Sequence, residues 1–223
     1  MNRLRVLVAD DHPLVRAGLR KILDEVGDWE VVAEAGNGRD AVSKALVLRP
    51  DVAILDIAMP QLNGIEATAQ ICRREPGIHV LILSMYADEA YVIQAMHAGA
   101  RGYLLKESAD ADVVRAVTAV AQGKSFFSPE IARIMLDEYT RHMAERGAGG
   151  GCTAMADPYD TLSEREREIF QLVAEGRANK QVAELLHLSA NTVETHRAHI
   201  LEKLGLHSAA ELVLYAVRRG VIR

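Results

Sequence analysis

Short apolar runs alternate with amphipathic segments along the first half of the chain. Runs such as Val6-Leu7-Val8 and Val80-Leu81-Ile82-Leu83 are typical of strands that are buried on both faces. Five strand-then-helix units in series predict a parallel sheet that is covered by helices on both sides. The predicted strands are Leu4–Ala9, Glu30–Ala33, Val52–Leu55, Val80–Leu83 and Gly102–Leu105, and the predicted helices are Pro13–Glu25, Gly38–Leu48, Gly64–Arg74, Glu89–His97 and Asp110–Gln122.

The pattern changes after residue 125. Pro129–Arg146 predicts a further helix, since Ser128 can cap it and Pro129 suits its first turn. The glycine cluster between Gly147 and Gly151 cannot hold a regular element and predicts a flexible tether. Only helical patterns follow, over Glu164–Glu175, Asn179–Leu186, Asn191–Leu204 and Ser208–Arg219.

These patterns predict a fold in three parts. Residues 1–125 form an α/β domain with a doubly wound, five-stranded parallel sheet. Residues 126–158 are a linker helix and a glycine-rich tether. Residues 159–223 form an all-α domain of four helices.

Composition narrows the class of protein. The chain is 49% hydrophobic and 26% charged, as in an ordinary globular protein. No apolar run approaches the ~20 residues that a membrane span needs, and Asp10 interrupts the first run too early for a signal peptide. Cys72 and Cys152 lie far apart and are predicted to be free thiols. We expect a cytoplasmic protein with no membrane partner.

The net charge of −5 is unevenly distributed along the chain. It is −3 over residues 1–125, −2 over residues 126–158 and 0 over residues 159–223. The acidity therefore belongs to the first two parts. The neutral C-terminal domain can still bind DNA if its cations share one face.

Polar side chains follow four of the predicted strands. Asp10 and Asp11 follow the first strand and Asp56 the third. In a doubly wound sheet the carboxyl ends of the strands form the functional crevice, where these carboxylates would repel one another unless a cation joins them. Hard oxygen ligands with room for water favour Mg²⁺, and a carboxylate beside Mg²⁺ can attack a phosphoryl group. Ser84 and Lys106 follow two other strands and can contact the same group. A lone aspartate at a strand end is most often a solvated turn residue, but this matching set favours a phosphoryl or anion site.

Several segments together resemble the receiver domain of response regulators. They are Leu4 to Asp11, Leu55-Asp56-Ile57-Ala58-Met59-Pro60 with Asn63-Gly64, Ser84, and Gly102-Tyr103-Leu104-Leu105-Lys106. The resemblance covers about residues 3–122 and implies a flavodoxin-like fold in which Asp56 accepts phosphate from a sensor histidine kinase. It also implies roles for the other residues: Mg²⁺ is bound by Asp10, Asp11, Asp56 and the Ala58 carbonyl, the phosphoryl group is contacted by Ser84 and Lys106, and the rotamer of Tyr103 follows Ser84.

Two enzyme classes fit this N-terminal domain less well. A haloacid-dehalogenase type enzyme also uses an aspartate nucleophile with Mg²⁺, but it needs a second aspartate where this chain has Ala58. A dinucleotide-binding enzyme needs a glycine-rich first turn, where this chain has Asp11-His12-Pro13. We expect no enzyme activity beyond the receiver's own phosphoryl acceptance and autodephosphorylation. Glu107 stands where many receivers have proline, which puts their usual cis peptide in doubt.

The C-terminal helices predict a helix-turn-helix. Ser163 and Glu166 have the spacing of a capping box at the start of the first helix, and Asn179 can cap the next, short helix. A tight turn at Leu188–Val193 leads into a longer helix, which in this arrangement lies in the major groove of DNA. An apolar stripe at helical spacing on that helix is predicted to face the core, and it consists of Val193, Ile200, Leu201 and Leu204.

The opposite face of the longer helix is polar. Glu194 can accept a hydrogen bond from cytosine, and Thr195 can contact a thymine methyl group or a base edge. The cations of this region can pair with phosphates and set the register on the duplex. The predicted DNA-contacting residues are Lys180, Asn191, Thr192, Glu194, Thr195, Arg197, Ala198, His199 and Lys203.

The C-terminal domain resembles the LuxR-type helix-turn-helix over about residues 159–223. The segments that carry this resemblance are Leu162-Ser163-Glu164-Arg165-Glu166, Asn179-Lys180-Gln181-Val182-Ala183, Thr192-Val193-Glu194-Thr195-His196 and Lys203-Leu204-Gly205. Together with the receiver, they make the chain similar to the NarL/FixJ family of two-component response regulators. That resemblance implies a transcription factor that forms a homodimer on promoter DNA, with the helix Ser208–Arg219 contributing to the dimer contact.

We accordingly expect phosphorylation of Asp56 by a sensor histidine kinase to control sequence-specific DNA binding and transcription. The alternative is a regulator whose receiver is not phosphorylated and acts through protein contacts. The complete set of Asp10, Asp11, Asp56, Ser84 and Lys106 argues against this alternative.

Overall fold

A computed structural model describes residues 3–136, Thr140 and residues 157–222. The chain folds as two compact units. The N-terminal unit is an α/β domain, and the C-terminal unit consists of helices. None of the helices in the described ranges is both long and apolar enough to cross a bilayer.

The N-terminal unit is built on a parallel sheet with the strand order β2-β1-β3-β4-β5-β6. Its strands are β1 (Leu4–Ala9), β2 (Trp29–Ala35), β3 (Val52–Asp56), β4 (His79–Ser84), β5 (Gly102–Leu105) and β6 (Phe126–Phe127). Its helices are α1 (Pro13–Asp24), α2 (Gly38–Leu48), α3 (Gly64–Arg74), α4 (Glu89–His97) and α5 (Ala109–Ala121). The predicted doubly wound parallel fold is therefore confirmed.

The predicted number of five strands is wrong, because a sixth strand extends the sheet. Phe126 and Phe127 pair in parallel with Gly102 and Tyr103 at the edge of β5. A two-residue strand contains too few positions to show an apolar pattern. Its pairing depends instead on the position of β5, which only the folded domain supplies.

Burial of the central strands explains their uniformly apolar sequences. All five residues of β3 are buried, and so are Val80 to Ser84 in β4. Helices on both sides of the sheet cover these strands, so neither face of β3 or β4 requires polar side chains. Cys72 in α3 carries a free thiol, and Cys152 lies outside the described residues.

Residues 129–136, after β6, are helical (α6). This helix starts at Pro129, as the sequence predicts, and the preceding Ser128 is fully buried. Apart from Thr140, the remainder of the predicted helix to Arg146 and the glycine cluster Gly147–Gly151 lie outside the described residues.

The C-terminal unit contains α7 (Glu164–Ala174), α8 (Asn179–Leu186), α9 (Ala190–Leu204) and α10 (Ala209–Arg218), preceded by a 3₁₀ turn over Pro158–Thr161. Phe170 of α7 is fully buried at the centre of its core. Tyr159 packs against the Phe170 ring edge-on, at 5.4 Å between centroids. The core combines these aromatic rings with the buried residues Leu172, Val182, Val193, Ile200, Leu204 and Leu212.

Caps and turns fix the ends of the C-terminal helices. The predicted capping box is confirmed, since Ser163 and Glu166 cap α7 reciprocally. The predicted Asn179 cap is wrong, because Ala178 takes the N-cap position and its backbone N–H is bound by Gln181 instead. His187 ends α8 with a left-handed backbone, and Ser189 caps α9 through the Thr192 N–H.

Candidate functional site

The strand order brings the carboxyl ends of β1, β3, β4 and β5 next to one another. Asp10 directly follows β1, Asp56 ends β3, Ser84 ends β4 and Lys106 directly follows β5. The register places Asp56 beside Leu83 and Ser84 beside Leu105. Four side chains that lie far apart in the sequence therefore meet at one edge of the sheet.

Lys106 joins two buried carboxylates at this edge. Its Nζ lies 2.6 Å from Asp10 Oδ2 and 2.9 Å from Asp56 Oδ2. The side chains of Asp10 and Asp56 are only 1% and 2% exposed. Two buried negative charges thus share one ammonium group, which leaves the pocket short of positive charge.

The pKa values of Asp56 and Lys106 reflect this shortage of positive charge. Burial raises the pKa of the Asp56 carboxyl, and the charge of Lys106 opposes that shift without cancelling it. Burial would lower the pKa of Lys106, but its hydrogen bond to Asp10 and the charge of Asp56 raise it. Lys106 therefore stays an ammonium, while the Asp56 carboxylate is easier to ionise when a further cation enters.

Asp11 is paired with a neighbouring imidazole. His12 Nδ1 lies 2.6 Å from Asp11 Oδ1, and the His12 backbone N–H donates to Asp10 Oδ1 at 2.8 Å. We call Asp10, Asp11 and Asp56 the acid pocket. Among the described residues, ligand atoms of Asp10, Asp11 and His12 form a group that lies within 4.8 Å. The contact of His12 was not anticipated from the sequence, although its position directly after two aspartates was a visible signal.

The donor set of the acid pocket fits Mg²⁺. Carboxylate oxygens are hard ligands of the kind that this ion prefers. Asp10 and Asp56 are buried and share a single ammonium group, so a divalent cation would supply the missing charge. The acid pocket therefore suits a divalent cation such as Mg²⁺.

The loop after β3 packs closely against the backbone of Asp56, the candidate phosphoacceptor. Asn63 caps α3, and the Gly64 N–H donates to the Ile57 carbonyl at 2.8 Å. A Cβ atom on residue 64 would lie 2.0 Å from the Asp56 carbonyl oxygen. Only glycine allows this approach, so Gly64 sets the position of the Asp56 backbone. The Ala58 backbone N–H also hydrogen-bonds Asp56 and lowers the pKa of its carboxyl.

Tyr103 is linked to Ser84 through the loop after β4. The Tyr103 side chain is fully buried, and its hydroxyl donates to the Tyr86 carbonyl at 2.7 Å. The Tyr86 N–H donates to Ser84 Oγ at 3.0 Å. Burial raises the pKa of the Tyr103 phenol, so the hydroxyl keeps its proton and remains a donor. The ring of Tyr103 therefore already occupies an inward position in this structure. The Lys106–Glu107 peptide bond is trans.

The polar face of α9 is open to solvent in the C-terminal unit. Seven of the nine residues predicted to contact DNA are exposed there or on α8, and Thr192 and Arg197 are half-buried. The exposed residues are Lys180, Asn191, Glu194, Thr195, Ala198, His199 and Lys203. The buried stripe on the other side of α9 contains Val193, Ile200 and Leu204, with Leu201 half-buried. The helix therefore has one core face and one face that can approach a duplex.

The side chains of four predicted contact residues also have partners within the domain. The Thr195 hydroxyl donates to the Asn191 carbonyl at 3.0 Å. The Thr192 N–H and hydroxyl take part in the Ser189 cap. Arg197 donates to Asn179 Oδ1 at 3.4 Å, which connects α9 to α8. Lys203 Nζ lies 2.8 Å from both carboxylate oxygens of Glu166. Lys203 thus ties α9 to the start of α7, which sequence spacing gave no means of predicting.

The Glu166–Lys203 pair stabilises the helix-turn-helix. We expect Glu166→Gln to lower its free energy of unfolding at pH 7 by about 1 kcal/mol, because the buried carboxylate loses charge-assisted hydrogen bonds to an ammonium that is 41% exposed and screened by solvent. Hydrogen exchange of α7 and α9 amides in the full chain measures this change. Glu202→Gln, at an exposed position of α9, is the matched control and should leave the exchange unchanged.

The same pair also makes stability depend on pH. Burial alone would raise the pKa of Glu166, but Lys203 and Ser163 lower it to about 2. A carboxyl with a lowered folded-state pKa contributes its full stability above its unfolded pKa, and loses it as the pH falls from about 4.5 to about 2. Glu166→Gln should flatten this part of the stability curve. If the variant lost as much stability as the wild type between pH 4.5 and 2, the assignment of this pH dependence to Glu166 would be wrong.

Comparisons with known proteins agree with this arrangement. Residues 6–118 match the family described as "Response regulator receiver domain", and residues 160–216 match "Bacterial regulatory proteins, luxR family". The chain is 39% identical over 220 residues to the oxygen regulatory protein NreC of Staphylococcus epidermidis, covering 98% of this chain and 99% of that protein. It is 38% identical to the NreC of Staphylococcus carnosus over the same shares of the two chains.

Solved response regulators align with nearly the whole length of this chain. RcsB of Salmonella typhimurium is 27% identical, with a TM-score of 0.57 over 98% of this chain and 100% of that chain. The response regulator ChrA of a heme-sensing two-component system is 36% identical, with a TM-score of 0.52 over the full length of both chains.

A receiver fold with an acid pocket, joined to a LuxR-type helix-turn-helix, defines a two-component response regulator. The chain belongs to the NarL/FixJ family of these regulators, and it is a DNA-binding regulator of transcription.

Proposed function

We propose that Asp56 is the phosphoacceptor and that its phosphorylation by a sensor histidine kinase controls binding of the C-terminal domain to promoter DNA. The observation that carries this proposal is the pair of contacts from Lys106 Nζ to Asp10 and Asp56, at the edge of the sheet where Ser84 also ends its strand. A nucleophilic carboxylate, a cation and a hydroxyl are thereby present at one place.

The residues of the acid pocket would hold Mg²⁺ through Asp10, Asp11, Asp56 and the Ala58 carbonyl. When bound, Mg²⁺ neutralises charge on the phosphoryl oxygens. Lys106 would turn from the carboxylates toward a phosphoryl oxygen, and Ser84 Oγ would donate to another. Tyr103, already buried, would keep the space next to Ser84 filled.

The group transfer uses one oxygen of the Asp56 carboxylate. It attacks phosphorus as a new P–O bond forms, the P–N bond of the kinase phosphohistidine breaks, and the histidine nitrogen takes the bonding electron pair. The reverse fate is hydrolysis, in which water attacks phosphorus and returns the free carboxylate with inorganic phosphate. The small side chain of Ala58 leaves the approach of water open, so we propose autodephosphorylation as the receiver's own reaction, with a lifetime that depends on this position.

For the C-terminal domain we propose that α9 enters the major groove of promoter DNA. Glu194, Thr195 and Ala198 are exposed and would face base edges. The remaining predicted residues would contact the backbone: Lys180, Asn191, Thr192, Arg197, His199 and Lys203. Lys203 is already paired with Glu166, so a phosphate would have to share its ammonium group with that carboxylate. We therefore expect Lys203 to contribute less to DNA affinity than Lys180.

Lys180 is exposed at the start of α8 and provides a test of a phosphate contact. We expect Lys180→Ala to weaken binding to all DNA sequences alike and to reduce the slope of log K against log salt by about 1, because one fewer counterion is released. Fluorescence anisotropy at several salt concentrations measures both quantities. Lys21→Ala, an exposed lysine of α1, serves as the control, and an equal slope for both variants would refute the contact.

We further propose that the active form is a homodimer that pairs through α10. Three apolar residues of α10 are exposed on the C-terminal unit, namely Val213 (38%), Leu214 (50%) and Val217 (46%). RcsB has been solved as dimers bound to DNA, which supports the same assembly on the operator. Association would remove this apolar surface from water.

Leu214→Lys should therefore weaken binding to DNA with two half-sites by about tenfold or more, while binding to one half-site stays unchanged, because only the dimer contact is lost. Gel-shift titrations on the two DNAs measure the difference. Leu14→Lys, an exposed apolar residue of α1, is the matched control. Equal weakening on both DNAs would instead indicate a misfolded domain.

These proposals assign residues 1–125 to the receiver, 126–158 to a linker and 159–223 to the DNA-binding domain, acting in the cytoplasm where promoter DNA is found. The test is binding of the full chain to promoter-pool DNA, with and without acetyl phosphate and Mg²⁺. Stronger binding only when both are present supports control by phosphorylation. Equal binding in every condition would favour the alternative, a receiver that acts through protein contacts.

A further inference from the structure

Arg16 of α1 reaches the main chain beside the acid pocket. Its Nη1 donates to the Asp10 carbonyl oxygen at 2.6 Å, and its side chain is only 19% exposed. That carbonyl belongs to the peptide unit that joins Asp10 to Asp11, the adjacent carboxylates of the acid pocket. Because a peptide unit is planar, a hydrogen bond that fixes its oxygen also fixes the direction in which the chain enters Asp11.

The guanidinium of Arg16 is itself held from β2. Its Nε lies 3.5 Å from Glu34 Oε2, while Glu34 Oε1 accepts a hydrogen bond from Arg20 at 2.7 Å. The main-chain carbonyl of Glu34 accepts another from Lys44 Nζ of α2 at 2.6 Å. Glu34 is therefore restrained from both α1 and α2. A guanidinium carries its donors in one rigid plane, so Arg16 can serve a carbonyl and a carboxylate at the same time.

The Asp10 main chain is tied to β2 by both of its polar groups. Its N–H donates directly to the Ala35 carbonyl at 3.1 Å, and its carbonyl is connected to Glu34 through Arg16. Lys106, in contrast, contacts the Asp10 and Asp56 carboxylates. The two cations thus have separate tasks: Lys106 balances the charge of the carboxylates, and Arg16 orients the backbone that carries two of them.

We propose that Arg16 is a positioning residue for the acid pocket. By bridging the Asp10 carbonyl and the Glu34 carboxylate, it holds the peptide between Asp10 and Asp11 in the orientation that presents both side chains to a divalent cation. The inference deepens the proposed function and rests on it, because it presupposes that the acid pocket binds Mg²⁺. Groups that orient metal ligands from outside affect metal affinity, so the loss of Arg16 raises the dissociation constant of Mg²⁺.

Arg16→Met in the full chain tests this role, because it removes the guanidinium and keeps an apolar stem. Isothermal titration calorimetry should show the dissociation constant of Mg²⁺ raised by about tenfold. Phosphorylation by acetyl phosphate, followed by intact-mass spectrometry, should need correspondingly more Mg²⁺ and should approach the wild-type rate at saturating Mg²⁺. Arg115→Met, at an exposed arginine of α5 that pairs with Asp112, is the matched control and should change neither quantity.

Two further variants test the bridge itself. Glu34→Gln should also weaken Mg²⁺ binding, and its combination with Arg16→Met should weaken it no further than Arg16→Met alone, because both act through one contact. Arg16→Lys should recover only part of the affinity, since an ammonium lacks the planar fork that reaches both partners. Full recovery with lysine, or independent effects of the two substitutions, would overturn the bridging role.

Urea unfolding followed by the fluorescence of Trp29 in β2 separates positioning from stability. If Arg16→Met unfolds at a lower urea concentration but binds Mg²⁺ like the wild type, Arg16 only stabilises the domain and the inference is wrong, while the proposed function stands. If Arg16→Met does not fold, Glu34→Gln provides the same comparison. A wild-type chain that binds no Mg²⁺ would instead refute the metal part of the proposed function, and this inference with it.

Discussion

Asp56→Asn should abolish the response of DNA binding to acetyl phosphate. Wild-type affinity for promoter DNA should rise by about 5- to 150-fold on phosphorylation, the range that couplings of 1–3 kcal/mol produce. Asparagine has no carboxylate oxygen to attack phosphorus, so the variant should stay at the unphosphorylated affinity. Anisotropy titrations with Mg²⁺, in the presence and absence of the donor, measure both values.

The substitution should leave the fold intact, which makes the result interpretable. In Asp56→Asn, Lys106 keeps its 2.6 Å contact with Asp10, so its charge remains paired. Removing one of two carboxylates that share an ammonium group also relieves repulsion. Asp24→Asn, at an exposed position of α1, is the control and should respond like the wild type. If Asp56→Asn retained the full response, phosphorylation at Asp56 could not be the switch.

Gly64→Ala should destabilise the N-terminal domain by about 3 kcal/mol or more. The added Cβ would lie 2.0 Å from the Asp56 carbonyl oxygen and 2.8 Å from its carbonyl carbon, so backbone must move. Because the moving backbone carries Asp56, phosphorylation should also slow. Urea unfolding followed by fluorescence of Trp29, the single tryptophan and a residue of β2, reports this domain selectively.

Gly18→Ala is the matched control for this prediction. Gly18 lies in α1, and a Cβ there meets open space. Alanine in a helix interior is more stable than glycine by about 0.5–1 kcal/mol, so this variant should unfold at a slightly higher urea concentration. If Gly64→Ala and Gly18→Ala unfolded at the same urea concentration, the loop after β3 would accommodate a Cβ without cost. The proposed role of Gly64 would then be wrong.

Much of the fold could be predicted because its signals are local. A strand buried on both faces must be apolar at every position, so β3 and β4 are visible as runs. The Ser163–Glu166 capping box spans one helical turn and is also visible. The strand β6 was missed because two phenylalanines carry no period, and Asn179 was misassigned because Gln181 satisfies the Ala178 N–H in its place.

The site was only partly visible in the sequence. The carboxylates, Ser84 and Lys106 could be named, since each follows a recognisable strand. Their partners could not. The pairing of Lys203 with Glu166 joins residues 37 positions apart, and the contact of His12 with Asp11 depends on how the loop before α1 is folded.

The order of strands and helices along the chain, the family and the charged residues at the strand ends can all be predicted from the amino-acid pattern. The folded domain was needed to show that Lys106 is shared by Asp10 and Asp56, that His12 contacts Asp11, and that Gly64 must lack a side chain. This division arises because apolar periodicity is encoded between neighbours in the chain. Electrostatic pairing and steric contact depend instead on distances between strands, which exist only after the sheet has formed.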